Sequence, residues 1–107
     1  MSERFTIRVA GAGDAAALTR LAALDSRPVP RGRVLVAEVG GELWAAVTLD
    51  GGAAVADPFR PSGELVALLR ERARQIERAA GARRRRRLRA GVARLGRDPD
   101  APLGDAA

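Results

Sequence analysis

Cysteine and histidine are both missing from this 107-residue chain, and so is lysine. Without cysteine there is no disulfide framework, no thiolate nucleophile and no thiolate metal site. Without histidine the commonest general base and metal ligand is gone as well, so the sequence predicts no bound metal. Aromatic residues are scarce, at 3% against 47% apolar residues. The core must therefore be built from Ala, Val and Leu, with little bulk per side chain, and a chain this small buries a modest share of its surface. A partner's surface is expected to contribute to its stability. Long hydrophobic runs are also lacking: no stretch approaches the roughly 20 apolar residues that a membrane span requires. The chain does not open on a basic segment followed by an apolar run. A cytoplasmic protein without a transmembrane segment is the resulting expectation.

What is abundant is arginine. All 19 basic residues are Arg, and with Ala, Gly and Val also plentiful this reads first as GC-rich codon bias. The distribution is more informative. Up to Leu69, seven Arg face eight acids; residues 70–97 hold twelve Arg against Glu71 and Glu77; the last ten residues carry Asp98, Asp100 and Asp105. A nearly neutral body is thus followed by a strongly basic arm and an acidic end.

Residues 5–9 alternate, with Phe5, Ile7 and Val9 on one face and Thr6 and Arg8 on the other, which predicts a strand. Residues 14–25 place Leu18, Leu21 and Ala22 at helical spacing, with Asp14 suited to the first turn. Pro28 and Pro30 make 26–32 a loop. Strands follow at 33–39 and 42–49, joined at Gly40-Gly41, and a short third limb at 53–56 follows the turn Asp50-Gly51-Gly52. This predicts two antiparallel hairpins. Trp44 alternates with Leu43 and Ala45, which places Leu43 and Ala45 on one side of the sheet and Trp44 on the other, covering that face or meeting a second copy. Ser62 is suited to cap a helix whose stripe is Leu65, Leu68, Leu69, Ala73 and Ile76. Gly81 interrupts the helical pattern, and a short second amphipathic segment carries Leu88, Val92 and Leu95. Residues 97–107 have the composition of a disordered tail. The predicted organisation is a domain over 1–80 and an Arg-rich arm with its tail over 81–107.

Particular segments resemble a known family. Thr6-Ile7-Arg8-Val9-Ala10 followed by Gly13-Asp14-Ala15-Ala16-Ala17-Leu18, together with Val34-Leu35-Val36-Ala37-Glu38-Val39-Gly40-Gly41-Glu42-Leu43-Trp44-Ala45-Ala46, is similar to the opening of GNAT-superfamily N-acetyltransferases. The resemblance covers about residues 4–79. It implies an α+β fold: a truncated GNAT-like antiparallel sheet of about four strands with two packed helices, followed by the basic C-terminal arm.

The family's acyl-coenzyme loop reads Q/R-x-x-G-x-G/A before a helix. Glycines there let backbone amides approach a pyrophosphate, and the helix N-terminus adds a favourable dipole. Arg60 and Gly63 fall on its first two positions, and the amides of Ser62, Gly63, Glu64 and Leu65 would do most of the holding. Three residues depart from the pattern: Leu65 stands where the last Gly or Ala belongs, Pro61 deletes a donor, and Glu64 adds negative charge. After residue 80 the family's next strand is replaced by the Arg block.

The resulting expectation is a GNAT-like protein that is noncatalytic alone and works as a binding or interaction module, with a homodimer or a partner chain completing the sheet. No cofactor is expected unless the altered loop still takes acetyl-coenzyme A. Two alternatives stay open. One is an acetyl-coenzyme A-dependent N-acetyltransferase completed by oligomerisation. Glu38, Glu42 and Asp57 are acids that could in principle serve as its base, but each lies at a strand end or turn where acids are ordinarily solvated, and no residue is nominated as catalytic. The other is non-specific nucleic-acid binding through Arg83, Arg84, Arg85, Arg86, Arg87 and Arg89. An anionic membrane surface is a third partner for the arm, with Leu88, Val92 and Leu95 as its few apolar anchors.

Overall fold

The computed structural model describes residues 4–50 and 52–96, with side chains as far as Gly91. Strand β1 is Phe5–Val9. A 3-10 turn at Ala12–Asp14 leads into helix α1, Ala15–Leu24. Strands β2, β3 and β4 are Val34–Val39, Glu42–Thr48 and Ala54–Ala56. Helix α2 is Gly63–Gly96. The four strands form one antiparallel sheet in the order β1-β2-β3-β4, and the fold is α+β. Among the described residues no helix is long and apolar enough to cross a membrane. The tail expected at residues 97–107 lies outside the described residues, as do Gly51 and the side chains of Val92 and Leu95.

Both faces of the sheet are covered. On one, Leu18, Leu21 and Ala22 of α1 pack against Val34, Val36, Leu43, Ala46 and Val55. On the other, Leu65, Leu69 and Ala73 of α2 pack against Leu35, Ala37, Val39, Ala45, Val47 and Leu49. Alternate residues of β2 thus feed opposite layers, as the pleat requires. The expected α2 stripe is narrower than its spacing suggests, because Leu68 is 46% exposed while Leu69 is fully buried.

A β-bulge corrects one expectation. Ala37 pairs with Ala45 but its neighbour Glu38 pairs with Leu43, so Trp44 is an extra residue in β3. The bulge shifts the alternation by one. Leu43 therefore faces α1, whereas Trp44 and Ala45 both lie on the α2 side; Leu43 and Ala45 do not share a face.

The turns follow from backbone chemistry. Gly40 and Gly41 sit at φ +58° and +83°, the pair of left-handed conformations that a two-residue hairpin turn demands and that glycine supplies without a steric penalty. Helix α1 ends differently. Ser26 N–H donates to the Ala23 carbonyl and Arg27 N–H to the Ala22 carbonyl, with Ser26 at φ 53°. This is a Schellman closure with serine at the position glycine ordinarily takes.

Residues through Glu77 form one compact unit and those from Arg78 another. Helix α2 runs without interruption through Gly81, so the break expected there does not occur. One interior glycine costs a helix only about 1 kcal/mol, which the alanines and arginines on either side offset.

Candidate functional site

The loop joining β4 to α2 is tightly cross-bonded. Asp57, 4% exposed, accepts the Phe59 amide on Oδ1 at 2.8 Å, and its own carbonyl accepts the Ser62 hydroxyl at 3.0 Å and the Arg60 amide at 3.2 Å. The Ser62 amide donates to the Arg60 carbonyl at 2.8 Å. Ser62 does precede the helix as expected, but its buried hydroxyl points back into the loop. The side chain of Leu65 belongs to the core on the α2 side. A methyl group added at Gly63 would meet nothing within 4 Å, so no close approach requires glycine there.

Arg60 is engaged on two sides. Its guanidinium lies 5.3 Å from the centre of the Trp44 ring and 3.1 Å from Glu42 Oε1. A cation over an indole contributes about 0.5–1 kcal/mol at an exposed site, and an exposed ion pair about 0–1 kcal/mol. Together they clasp the loop to β3.

The loop does not fit a pyrophosphate in the manner its partial motif implies. Pro58 and Pro61 have no amide hydrogen, and the amides of Phe59, Arg60 and Ser62 are already bonded within the loop. Arg60 would have to leave Glu42 and Trp44. What remains is the first turn of α2, at Gly63, Glu64 and Leu65, and there Glu64 opposes an anion.

The three acids considered as bases also have structural partners. Glu38 accepts from Arg8 at 2.8 Å, Glu42 from Arg60, and Asp57 from the Phe59 amide. They lie in separate networks, and the fold does not bring them together. Among the described residues no group of three acids is placed to hold a metal ion.

The strongest electrostatic cluster was not visible in the sequence. Arg8 on β1 forks between Asp14, at 2.7 and 2.9 Å, and Glu38 on β2, at 2.8 and 3.1 Å. Asp14 also accepts the Gly11 amide at 2.7 Å. The Arg8 hydrogen bonds, followed by the Gly11 amide, hold the Asp14 carboxyl well below the usual carboxylate range, and the two acids push Arg8 upward. Arg8 and Glu38 are 30 residues apart, and the signal that could have paired them is the register of β1 against β2, which sets Arg8 beside Val36 and Thr6 opposite Glu38.

The other feature that sequence reasoning missed is the free side of β4. The Ala53 carbonyl and the Asp57 amide bond to β3, so the backbone groups of the alternate residues Ala54 and Ala56 point away from the sheet. The outward Ala56 amide is taken by Asp25 at 3.1 Å. The outward side opens into a groove of about 550 Å³ lined by the 27–31 loop, by Ala54 and Ala56, and by Val66 and Arg70 of α2. Its lining combines the apolar Pro28, Val29 and Pro30 with the charged Asp25, Arg27, Arg31 and Arg70.

In the second unit, residues 83–90 of α2 are all exposed. The helix brings Arg83, Arg84, Arg85, Arg86, Arg87 and Arg89 together over two turns, with no acid anywhere between Glu77 and Asp98. Comparison with protein-family models, with curated proteins and with solved structures gives no match for this chain.

Proposed function

We propose that this chain is a noncatalytic binding module on a GNAT-like scaffold, and that it works by accepting an extended segment of a partner chain along the free side of β4. The observation that carries this reading is the groove beside Ala54 and Ala56. An edge strand with outward backbone groups is a template for another strand, and strand addition is a general mode of peptide recognition in which main-chain bonds give affinity and flanking pockets give specificity. Here β4 is three residues long, so main-chain bonds alone are few. The apolar walls at Pro28, Val29, Pro30 and Val66 supply the remaining contact. The partner is a second copy of the chain or another protein.

Support for a noncatalytic role comes from the commitments of the polar side chains. Arg60, Glu38, Glu42 and Asp57 each hold a loop or strand in place, and Asp25, the acid that lines the groove, is bonded to the Ala56 amide.

The test is selection of extended peptides from a random library on the intact protein, followed by affinity measurement on Ala54→Pro. Proline at an outward-facing edge position removes one outward donor without touching the β3 ladder. Selected peptides should bind the variant at least tenfold more weakly while its melting temperature stays close to that of the parent. If no peptides are recovered, or if the variant binds them equally well, strand addition at β4 is wrong.

A further inference from the structure

We infer that the arginine-rich part of α2 binds duplex DNA without regard to sequence, by lying in the major groove. The observation is the distribution of charge around the helix. Five consecutive arginines at 83–87, each turned by about 100° from the last, place guanidinium groups on every side of the axis, and Arg89 adds a sixth. All six side chains are exposed, and among the described residues none is paired with an acid.

A helix with cations on one side suits a flat anionic surface. Cations on all sides find partners only where anions stand on both flanks. The B-DNA major groove is about 12 Å wide, bordered by two phosphate rows, and admits a helix of about 10–12 Å diameter. Arginine forks onto phosphate oxygens and releases condensed counterions as it does so.

The other polyanions fit less well. A helix lying on a membrane needs an apolar face, and residues 83–95 set only Leu88, Val92 and Leu95 against seven arginines. Single strands are held by aromatic stacking, and no aromatic occurs after Phe59. The major groove of duplex RNA is deep and narrow. Arginine can fork onto guanine O6 and N7 as well as onto phosphate, but residues 83–90 hold no Asn, Gln or acid to read the other bases, so the helix specifies no base series and phosphate contacts dominate.

Like charges three and four residues apart oppose the helix they sit on. The pairs Arg83–Arg86, Arg83–Arg87, Arg84–Arg87, Arg85–Arg89 and Arg86–Arg89 all have this spacing. Neutralisation by phosphate removes that repulsion, so binding should raise the helix content of the chain.

The experiment is fluorescence anisotropy of a labelled random-sequence 20-base-pair DNA duplex titrated with the full chain from 50 to 200 mM salt. Circular dichroism is recorded in parallel, with duplex RNA, single-stranded DNA and phosphatidylserine vesicles as the comparison ligands. With six phosphates neutralised at roughly 0.9 each, log K against log salt should fall with a slope near −5, about a thousandfold loss over that range. Replacing the five arginines at 83–87 by Gln, a good helix former, should flatten the slope by about four units and leave the thermal transition of the sheet domain unchanged. Helicity should rise on adding duplex to the parent chain. The inference is overturned if the Gln variant keeps the parent's affinity and slope, if helicity is unaltered by saturating duplex, or if any of the three other ligands binds as tightly as duplex DNA.

Discussion

Replacing Leu69 by Ala removes three carbons from a side chain that is fully buried between α2 and the sheet, whereas the same change one residue earlier, at Leu68, alters a side chain that is 46% exposed. Leu and Ala have similar helix propensities, so the contrast isolates packing. Leu69 belongs to a cluster that mixes small residues, Ala37, Ala45 and Ala73, with larger ones, Leu35, Leu49 and Leu65. The large members can close part of a vacated space and the alanines cannot, which places Leu69→Ala inside the 2–5 kcal/mol observed for buried leucines, at about 3 kcal/mol. For a domain of this size that lowers Tm by roughly 12–24 °C. It is also a large part of the total, since stability at 0.05–0.15 kcal/mol per residue gives about 4–12 kcal/mol for the sheet domain. Leu68→Ala should cost less than about 1 kcal/mol. Urea unfolding followed by far-ultraviolet circular dichroism measures both, with unchanged slopes marking unchanged compactness. Equal losses at the two positions, or a loss below 1 kcal/mol at Leu69, would refute the assignment of the α2 face that docks on the sheet.

Two further outcomes follow from local geometry. Ser26→Gly should stabilise the protein by about 0.5–1 kcal/mol, because the left-handed conformation that serine holds at φ 53° costs glycine nothing; a lower urea midpoint in the variant would show that the serine is not strained. Asp14→Asn should weaken the protein at neutral pH, since the carboxyl of Asp14 titrates well below its ordinary value when folded. A depressed folded value contributes stability that is present above the unfolded value of about 3.9 and is lost as the pH falls below it. The difference between parent and variant should therefore narrow between about pH 4 and pH 2, and a difference that is constant or widens on acidification would contradict the Arg8–Asp14 pairing. Arg8 is displaced upward and stays charged throughout, so it adds no pH dependence in that window.

Much of the architecture was legible in the sequence. The strand at β1 is marked by the alternation of Phe5, Ile7 and Val9, although only Ile7 packs on the core while Phe5 and Val9 are exposed; the β2–β3 turn is set by Gly40-Gly41, and the start of α2 by the proline-rich loop and Ser62. The bulge at Trp44 was hidden for a physical reason. Both faces of the sheet are covered, so Leu43, Trp44, Ala45, Ala46 and Val47 are apolar without a polar phase, and a slip of one residue leaves no trace in the pattern. Gly81 misled because a glycine weighs little against a long run of good helix formers. The candidate site was less legible than the fold. Arg60 and Gly63 stood out as motif positions, but the motif does not reveal that Arg60 rests on Trp44 and Glu42 or that the loop amides bond among themselves. The groove beside β4 joins residues from 25–31, Thr48, residues 53–56, and Val66 and Arg70 of α2, and only the folded chain brings them together.

The most direct test of a binding module as opposed to a coenzyme-using enzyme is calorimetric titration of the purified protein with acetyl-coenzyme A, alongside an acetyl-transfer assay on a panel of amines and a parallel titration of Arg60→Ala. The expected result is no saturable heat at millimolar coenzyme and no turnover above the uncatalysed rate, with Arg60→Ala differing from the parent only by about 1 kcal/mol of stability, from the loss of its contacts with Trp44 and Glu42. Saturable binding that weakens in Arg60→Ala, or measurable acetyl transfer, would contradict it and make the loop before α2 a working coenzyme site.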